Sequence, residues 1–128
     1  PSRIRAAIPD SGGAGQQRGG LGLAREWRLE SDWGVLAGSF DRFRYPPYGL
    51  NGGNPGAPGQ FRMWRDGEMT QLPSKISGVQ LKCGDRVRLD TAGGGGWGDP
   101  QARNAKDLAA DLAAGYVTKV GASVYKSG

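Results

Sequence analysis

The chain has 128 residues and a formal net charge of +5 at pH 7, a length that suits one domain and is short for two. It contains no histidine, the commonest general base and metal ligand, and its single cysteine, Cys83, excludes an internal disulfide. No apolar run is long enough for a transmembrane helix, and no apolar segment follows the first charges as in a signal peptide. We therefore expect a cytoplasmic protein without a membrane partner.

Glycine is the unusual component, with 24 residues where an average protein has about 7%. Large aliphatic side chains are few, but the glycines are mixed with Trp, Tyr and Phe rather than with Ser and Gln. We therefore expect an ordered, loop-rich chain with a thin core, and we expect a partner protein to contribute to its stability.

The basic residues are dispersed among acidic ones, as in the segment "REWRLESDW" at residues 25–33. The sequence has no cluster of Lys and Arg and no motif known to read nucleic acid. Because arginine is favoured at protein interfaces, where it pairs with carboxylates, we predict that role and no nucleic-acid partner.

Three segments in the first third of the chain alternate apolar and polar residues, as β-strands do. The first is "SRIRAAI" at residues 2–8, which a glycine-rich loop from Pro9 to Gly22 follows. The second is "LAREWRLE" at residues 23–30. The third is "WGVLAGSFDRF" at residues 33–43, which we predict to be the hairpin partner of the second.

The middle of the chain begins with a segment too rich in proline and glycine for a helix or a central strand, residues 45–59. Its tyrosines are too apolar for a solvated linker, so we expect a rigid, packed loop. Residues 60–72 predict a hairpin with a two-residue Asp66-Gly67 turn. Residues 79–91 predict two short strands around a turn at Cys83 and Gly84.

The C-terminal tail is the helical part. Asn104 and Asp107 predict an N-cap with its acidic partner, Gly115 predicts the stop, and Thr118 predicts the cap of a second short helix. The fold class predicted is mainly β: a β-rich domain with long Gly/Pro loops at residues 1–100, and a short helical pair at residues 101–128 as the tail of the same domain.

The segment "TAGGGGWGDP" from Thr91 to Pro100 raises the question of what its four glycines approach. A phosphate-binding P-loop needs Lys and Ser/Thr after the last glycine, but Trp97 stands there. Residues without a Cβ allow another backbone or a ligand to come close. The sequence leaves open whether this neighbour is the domain's own backbone or another molecule. Cys83 and four loop aspartates are interpreted as turn or cap residues: Asp10, Asp41, Asp85 and Asp99.

Four long segments occur in the order found in the hydantoinase B/oxoprolinase family: "PDSGGAGQQRGGLGLAREW", "DRFRYPPYGLNGGNPGAPG", "LPSKISGVQLKCGDRVRLDTAGGGGWGDP" and "AKDLAADLAAGYVTKVGASVY". The chain resembles the C-terminal part of that family's subunit, which is several times longer. The resemblance implies ATP-dependent chemistry on amides or ketones. It implies that a partner subunit with an actin-like nucleotide fold phosphorylates a carbonyl or enol oxygen.

The resemblance also implies partners and cofactors. Larger hydantoinase A-like and hydantoinase B-like subunits are expected to join this chain in a hetero-oligomer. ATP, Mg²⁺ or another divalent metal, and bicarbonate are expected on those subunits, and this chain alone is expected to bind no cofactor and no metal.

We consider three functions, of which the first two follow from the resemblance. The first is a small subunit, a split C-terminal part, of an ATP-dependent multi-subunit carboxylase acting on a ketone such as acetone or acetophenone, because such assemblies tend to have more separate chains. The alternative is the corresponding part of an ATP-dependent hydantoinase or oxoprolinase that hydrolyses cyclic amides. A free-standing binding module for nucleic acid or acidic ligands ranks third. In the first two functions, the isolated chain is expected to be inactive.

No catalytic residue is assigned on this chain. A guanidinium group can bind a phosphorylated intermediate or a carboxylate with two hydrogen bonds, but pairing with carboxylates of a partner is the favoured interpretation of the loop arginines. The candidates for ligand or partner contact are Arg18, Arg42, Arg44, Tyr48, Gly52, Gly53, Gly94, Gly95 and Trp97.

Overall fold

A computed structural model describes the backbone of residues 2–125 and the side chains of residues 6–125. This part of the chain forms seven strands, one α-helix and two short 3-10 helices. The strands are β1 (Ser2–Ala7), β2 (Leu23–Arg28), β3 (Trp33–Ser39), β4 (Gln60–Arg65), β5 (Glu68–Leu72), β6 (Lys75–Lys82) and β7 (Arg86–Asp90); the α-helix is α1 (Ala105–Ala114). The predicted mainly β class with a helical C-terminal tail is confirmed.

The strands form two antiparallel sheets. One sheet has five strands in the order β1-β2-β7-β4-β5, and the other pairs β3 with β6. Strands β4 and β5 are joined by the predicted two-residue turn, in which Asp66 has a φ of 52° and Gly67 a φ of 80°. Positive φ at both positions is what the favoured hairpin turn requires, and it explains why glycine follows the aspartate. The hairpin prediction is therefore confirmed.

The predicted hairpin between β2 and β3 is wrong. Strand β2 lies between β1 and β7, so it has no free edge for β3. After β2, the N–H of Leu29 donates to the carbonyl of Asp85 at 2.9 Å, and the N–H of Gly84 donates to the carbonyl of Leu29 at 2.8 Å. This crossing leads the chain into the second sheet. The predicted turn at Cys83 and Gly84 likewise joins two strands of different sheets, β6 and β7.

The main core lies between the two sheets. Strand alternation places Phe61 and Met63 of β4 on the inner face, and Val87 of β7 joins them. The second sheet contributes Leu81, and partly buried residues of β3 and of the segment after it close the cluster. Phe61 is the largest fully buried side chain among the described residues, with 1% exposure. The core is small, as the composition predicts.

Helix α1 begins and ends where the sequence predicts. The Asn104 side chain accepts a hydrogen bond from the Lys106 N–H at 2.8 Å, and Gly115 ends the helix with a φ of 78°. The helix buries a polar residue, Asp111, and leaves Leu112 at the surface. The helix contacts the domain through that carboxylate and through Leu108, which packs against a second buried cluster of Ala14, Val117, Ala122 and Tyr125.

Two 3-10 helices complete the tail, at Pro100–Ala102 and Gly121–Tyr125. Asp99 caps the first through the N–H of Gln101, which confirms its interpretation as a cap residue. Thr118 caps the second, because its hydroxyl accepts from the Gly121 N–H at 3.1 Å. None of the helices between residues 2 and 125 has the length and apolar character needed to cross a membrane.

Candidate functional site

Three glycine-rich loops meet at one end of the five-stranded sheet, and most of the predicted contact residues lie on them. We call residues 9–22 the first glycine loop, residues 45–59 the second and residues 91–98 the third. The first joins β1 to β2, the second precedes β4, and the third follows β7.

Main-chain hydrogen bonds connect each loop to the other two. The Asn54 N–H donates to the Ala14 carbonyl at 2.7 Å, which joins the second loop to the first. The Gly96 N–H donates to the Asn54 carbonyl at 2.9 Å, which joins the third loop to the second. Trp97 and Gln17 exchange two such bonds at 2.9 Å, which joins the third loop to the first. These bonds show that the backbone of the predicted packed second loop lies against the other two loops, but its apolar side chains Tyr45, Tyr48 and Leu50 remain exposed.

The glycine run of the third loop is explained by close approach to the chain's own backbone. A Cβ added at Gly93 would lie 1.8 Å from the Ser11 carbonyl oxygen, and one at Gly95 would lie 1.9 Å from the Tyr48 carbonyl oxygen. None of the glycines at 93–96 has a left-handed φ, so conformational freedom is not the reason for them. The sequence leaves open whether the glycine run approaches the domain's own backbone or another molecule. In the structure, the run approaches the domain's own backbone.

The same contacts occupy three of the four N–H groups of the run, those of Gly93, Gly94 and Gly96, which a phosphate would need. The Gly93 N–H donates to the Ala57 carbonyl at 3.0 Å, and the Gly94 N–H donates to the Gly20 carbonyl at 2.8 Å. A phosphate cradle requires free N–H groups pointing at the ligand. In the part of the chain that the structure describes, no group of three His, Cys, Asp or Glu side chains could hold a metal ion. The residues present therefore do not fit a nucleotide phosphate in the third loop or a metal centre.

Arg18 joins the first loop to the helical tail. Its Nε donates to Asp111 at 3.0 Å, and Arg103 donates to the same carboxylate at 2.9 Å. The Arg18 guanidinium also lies 5.5 Å from the centroid of the Tyr116 ring. The Asp111 side chain is 8% exposed, so two cations surround one buried carboxylate. The structure thus places Arg18 in an ion pair within the chain.

A second contact fixes the tail to the first loop. The Asp10 carboxylate accepts hydrogen bonds from the Thr118 N–H at 2.8 Å and from the Thr118 hydroxyl. Tyr125 is buried nearby, and burial raises the pKa of its hydroxyl, so that the neutral form is favoured. Asp10, which the sequence analysis interprets as a turn or cap residue, holds the backbone that leads into the second 3-10 helix.

The other two candidate arginines lie just before the second loop. Arg42 is exposed and has a left-handed φ of 64°, which is uncommon for a residue other than glycine or asparagine. The Arg44 guanidinium lies 5.5 Å from the centroid of the Tyr45 ring. Gly94 of the third loop lines a cavity together with Arg42.

The remaining candidates lie on the second and third loops, whose main chains contact each other. Leu50 and Trp97 are bridged through their main chains, and Tyr48 lies against the third loop through its carbonyl. The exposed fractions are 72% for Tyr48, 56% for Leu50 and 46% for Trp97. We call these three side chains the loop patch. Gly52, with a φ of 90°, shapes the turn that follows Leu50, and Gly53 packs against the third loop.

Two buried carboxylates, Asp85 and Asp90, form ion pairs that the turn and cap residues of the sequence do not predict. Asp85 forms the turn as predicted, but it also pairs with Arg65 at 2.7 Å, and the hydrogen bonds from Arg65 hold the pKa of Asp85 below its usual value. Asp90 accepts from both Arg62 and Arg88 at 2.7 Å. The sequence signal for the Arg88–Asp90 pair is a spacing of two residues in a strand, which places both side chains on one face.

Comparison with known proteins gives the family. The model of the family described as Hydantoinase B/oxoprolinase matches residues 3–100. The putative B-type subunit of a D-/L-hydantoinase from Pseudomonas sp. (strain NS671) is 33% identical over 93% of this chain and 21% of its own. The crystal structure of an ATP-dependent caprolactamase from Pseudomonas jessenii matches with a TM-score of 0.78 at 26% identity, over 98% of this chain and 23% of that chain.

A nucleotide-free structure of acetone carboxylase, described in terms of ATP-dependent acetone carboxylation, also matches. Its TM-score is 0.73 at 22% identity, over 94% of this chain and 20% of that chain, and the likeness shows a shared fold. This chain therefore spans about a fifth of the length of each of these proteins. Since the family model covers most of the sequence, as the glycine-loop motifs predict, the chain belongs to the hydantoinase B/oxoprolinase family.

Proposed function

We propose that this chain is the C-terminal part of a B-type subunit in an ATP-dependent enzyme that hydrolyses a cyclic amide. Two relatives support this substrate class: one is named as the B-type subunit of a hydantoinase, and the other is an ATP-dependent caprolactamase. Hydantoin and caprolactam both contain a ring amide. ATP and a divalent metal belong, in this proposal, to the other subunits.

The observation that carries the proposal is the extent of the match. Nearly the whole chain corresponds to about a fifth of the hydantoinase subunit and of the caprolactamase chain. In this proposal, the main catalytic groups of the enzyme lie outside this fifth. The buried carboxylates of this chain agree with that division, because Asp85, Asp90 and Asp111 are each engaged by arginine and are not free to act as bases. The chain supplies loops and packing surface.

The loop patch is the surface where we expect the larger subunits to bind. Three large apolar side chains stand exposed on loops that the main chain holds in place. Clustered exposed apolar side chains are typical of protein–protein contact sites. Hydantoinase A-like and hydantoinase B-like subunits are the partners proposed, in a hetero-oligomer located in the cytoplasm.

Carboxylation of a ketone, with bicarbonate as a further reactant, is the second candidate. It is the function that the sequence analysis placed first, and the likeness to acetone carboxylase in fold favours it. We place it second because the two relatives that act on cyclic amides share more sequence identity with this chain.

The test measures which substrates stimulate ATP hydrolysis by the purified assembly. The chain is produced together with the neighbouring subunits, and ATP hydrolysis is measured with a hydantoin, 5-oxoproline or caprolactam, and separately with acetone or acetophenone plus bicarbonate. Amide-dependent ATP hydrolysis that needs no bicarbonate is expected. Turnover that requires both ketone and bicarbonate would transfer the assignment to the second candidate.

Co-purification tests the role of the chain in the assembly with a matched pair of variants. Leu50→Arg changes a residue of the loop patch, and Val35→Arg changes a residue of β3. The two native side chains are similarly exposed, at 56% and 61%. Leu50→Arg is expected to reduce the amount of this chain that elutes with the larger subunits, whereas Val35→Arg is expected to leave it unchanged. A wild-type chain that elutes alone as a monomer would instead favour a free-standing binding module.

A further inference from the structure

The arginines of the described region differ in whether they form an ion pair. Six of them pair with a carboxylate of the same chain: Arg18, Arg62, Arg65, Arg86, Arg88 and Arg103. The other four, Arg25, Arg28, Arg42 and Arg44, form no ion pair with any residue between 6 and 125, although Asp41 is close in sequence to the last two. Their charges are thus available to something outside the described chain.

The backbone that carries Arg42 is fixed on both sides. Phe40 stacks on Phe43 with ring centroids 5.8 Å apart, and it also meets the core residue Phe61 edge-on at 4.9 Å. The carbonyl of Arg42 accepts a hydrogen bond from the Gly59 N–H at 3.1 Å. Between these anchors, Arg42 takes a left-handed φ of 64°, a conformation that glycine or asparagine would adopt at lower cost. Strained backbone at a fixed position points to a functional demand on the side chain.

Two concave spaces meet at this segment. One has a volume of about 400 Å³ and is lined by three cationic side chains and one acidic one, in addition to aromatic residues and a serine. The other, of about 450 Å³, shares Arg42 and reaches the glycine run of the third loop. We call the first space the arginine cavity; its lining residues are Phe40, Asp41, Arg42, Phe43, Arg44, Tyr45, Ser74 and Lys75.

The charges of the arginine cavity favour an anion. Lys75 donates to the Ser39 hydroxyl at 3.3 Å and pairs with no carboxylate of the described chain, so it adds a third positive charge to those of the two arginines. Stacking on Tyr45 limits the directions that the Arg44 guanidinium can take. A guanidinium presents parallel N–H groups that match the oxygens of carboxylates and phosphates.

We infer that the arginine cavity binds the oxyanion group, a carboxylate or a phosphate, of a small ligand, with Arg42 as its main contact. A concave space of a few hundred Å³ is of the size that small ligands occupy. The inference does not depend on which reaction the assembled enzyme performs. A failure of this site would therefore leave the proposed function standing, and the reverse also holds.

The test uses the assembled protein and a reagent whose reaction rate can be measured at each arginine separately. Phenylglyoxal modifies exposed arginines, and mass spectrometry of peptides gives the modification rate at each position. Inorganic phosphate and succinate, added separately, represent the two kinds of oxyanion. At least one of them is expected to slow modification of Arg42 and Arg44 several-fold in a saturable manner, and the effective one identifies the group preferred. Arg86 is the control, since its side chain is 50% exposed and does not line the cavity.

A variant separates binding from folding. Arg42→Gly removes the guanidinium and suits the left-handed φ, so the protein is expected to keep its unfolding temperature while the anion no longer protects Arg44. Three results would overturn the inference: no protection by either anion, equal protection of Arg86, or an Arg42 that the reagent cannot reach in the assembly because a partner subunit covers it. Protection of Arg44 that persists in Arg42→Gly would also overturn the role given to Arg42.

Discussion

Replacing one glycine of the third loop by alanine tests whether the three loops touch as the structure shows. In Gly93→Ala, the new Cβ would lie 1.8 Å from the Ser11 carbonyl oxygen. The matched change is Gly20→Ala in the first loop, where a Cβ would meet nothing within 4 Å and the φ is not left-handed. Both variants add a methyl group to the glycine loops. Only Gly93→Ala adds it where another segment of backbone, at Ser11, is in contact.

The cost follows from the distance. Real Cβ atoms essentially never come within 3.0 Å of such an atom, so the first and third loops must separate by about 1.2 Å at Gly93. This separation disturbs the bond from the Gly93 N–H to the Ala57 carbonyl, at 3.0 Å, and the bond from the Ala57 N–H to the Ser11 carbonyl, at 2.8 Å. A buried polar group left without its partner costs about 1–3 kcal/mol, so two disturbed bonds give roughly 2–6 kcal/mol. Gly20→Ala is expected to stabilise by about 0.4–1 kcal/mol, because alanine restricts the unfolded chain.

Guanidinium chloride unfolding, followed by far-UV circular dichroism and tryptophan fluorescence, measures both changes. A loss of roughly 2–6 kcal/mol is a large part of the 5–15 kcal/mol of a typical domain, so Gly93→Ala is expected to lower the midpoint strongly or to prevent folding. Gly20→Ala is expected to unfold at the wild-type midpoint or above it. If Gly93→Ala unfolds within about 0.5 kcal/mol of wild type, the loops are not in contact at Gly93 and the reasoning fails.

Two further predictions concern the buried carboxylates. Asp111→Ala leaves Arg18 and Arg103 facing each other without their shared carboxylate, so a loss of about 3–5 kcal/mol is expected, together with faster hydrogen exchange in residues 105–125 than in the strands; unchanged protection of the tail would contradict this. Because Arg65 lowers the pKa of Asp85 in the folded state, the stability that this carboxylate contributes is present above its unfolded pKa of about 3.9 and is lost as the pH falls through the lower folded pKa. The difference in unfolding free energy between wild type and Asp85→Asn is therefore expected to be full at pH 7 and to shrink below about pH 4, and a difference that stays constant to pH 2 would refute the Arg65–Asp85 interaction.

Local signals in the sequence predicted the elements well. The Asp66-Gly67 turn and the Asn104 and Gly115 helix ends each depend on the backbone chemistry of one or two residues, and the structure has all of them. The pairing of β3 could not be obtained in this way. Alternation in β3 shows that it is a strand, but its partner is set by β7 occupying the edge of β2, a relation between residues far apart in the chain.

The candidate site also depends on contacts between residues far apart in the chain, which local sequence signals do not reveal. Glycine at 93–96 is compatible with left-handed turns, with ligand approach and with contact between backbones, and the sequence does not distinguish these causes. The same holds for Arg18 and Arg42, which occur in similar loop surroundings. Arg18 pairs with Asp111, which lies 93 residues later in the chain, whereas Arg42 pairs with no carboxylate of the described chain.

The proposed binding of larger subunits depends on the exposed side chains of this chain and not on its bare backbone. The glycine loops satisfy one another by main-chain hydrogen bonds, so they do not need another protein to cover them. Among the apolar side chains that remain exposed, those of the loop patch, Tyr48, Leu50 and Trp97, are carried on loops that main-chain hydrogen bonds hold together. A surface ordered before binding loses little conformational entropy when a partner covers it. The glycines thus permit a close-packed support that the small core alone does not provide, and the apolar side chains placed on this support are the groups that a larger partner can bury.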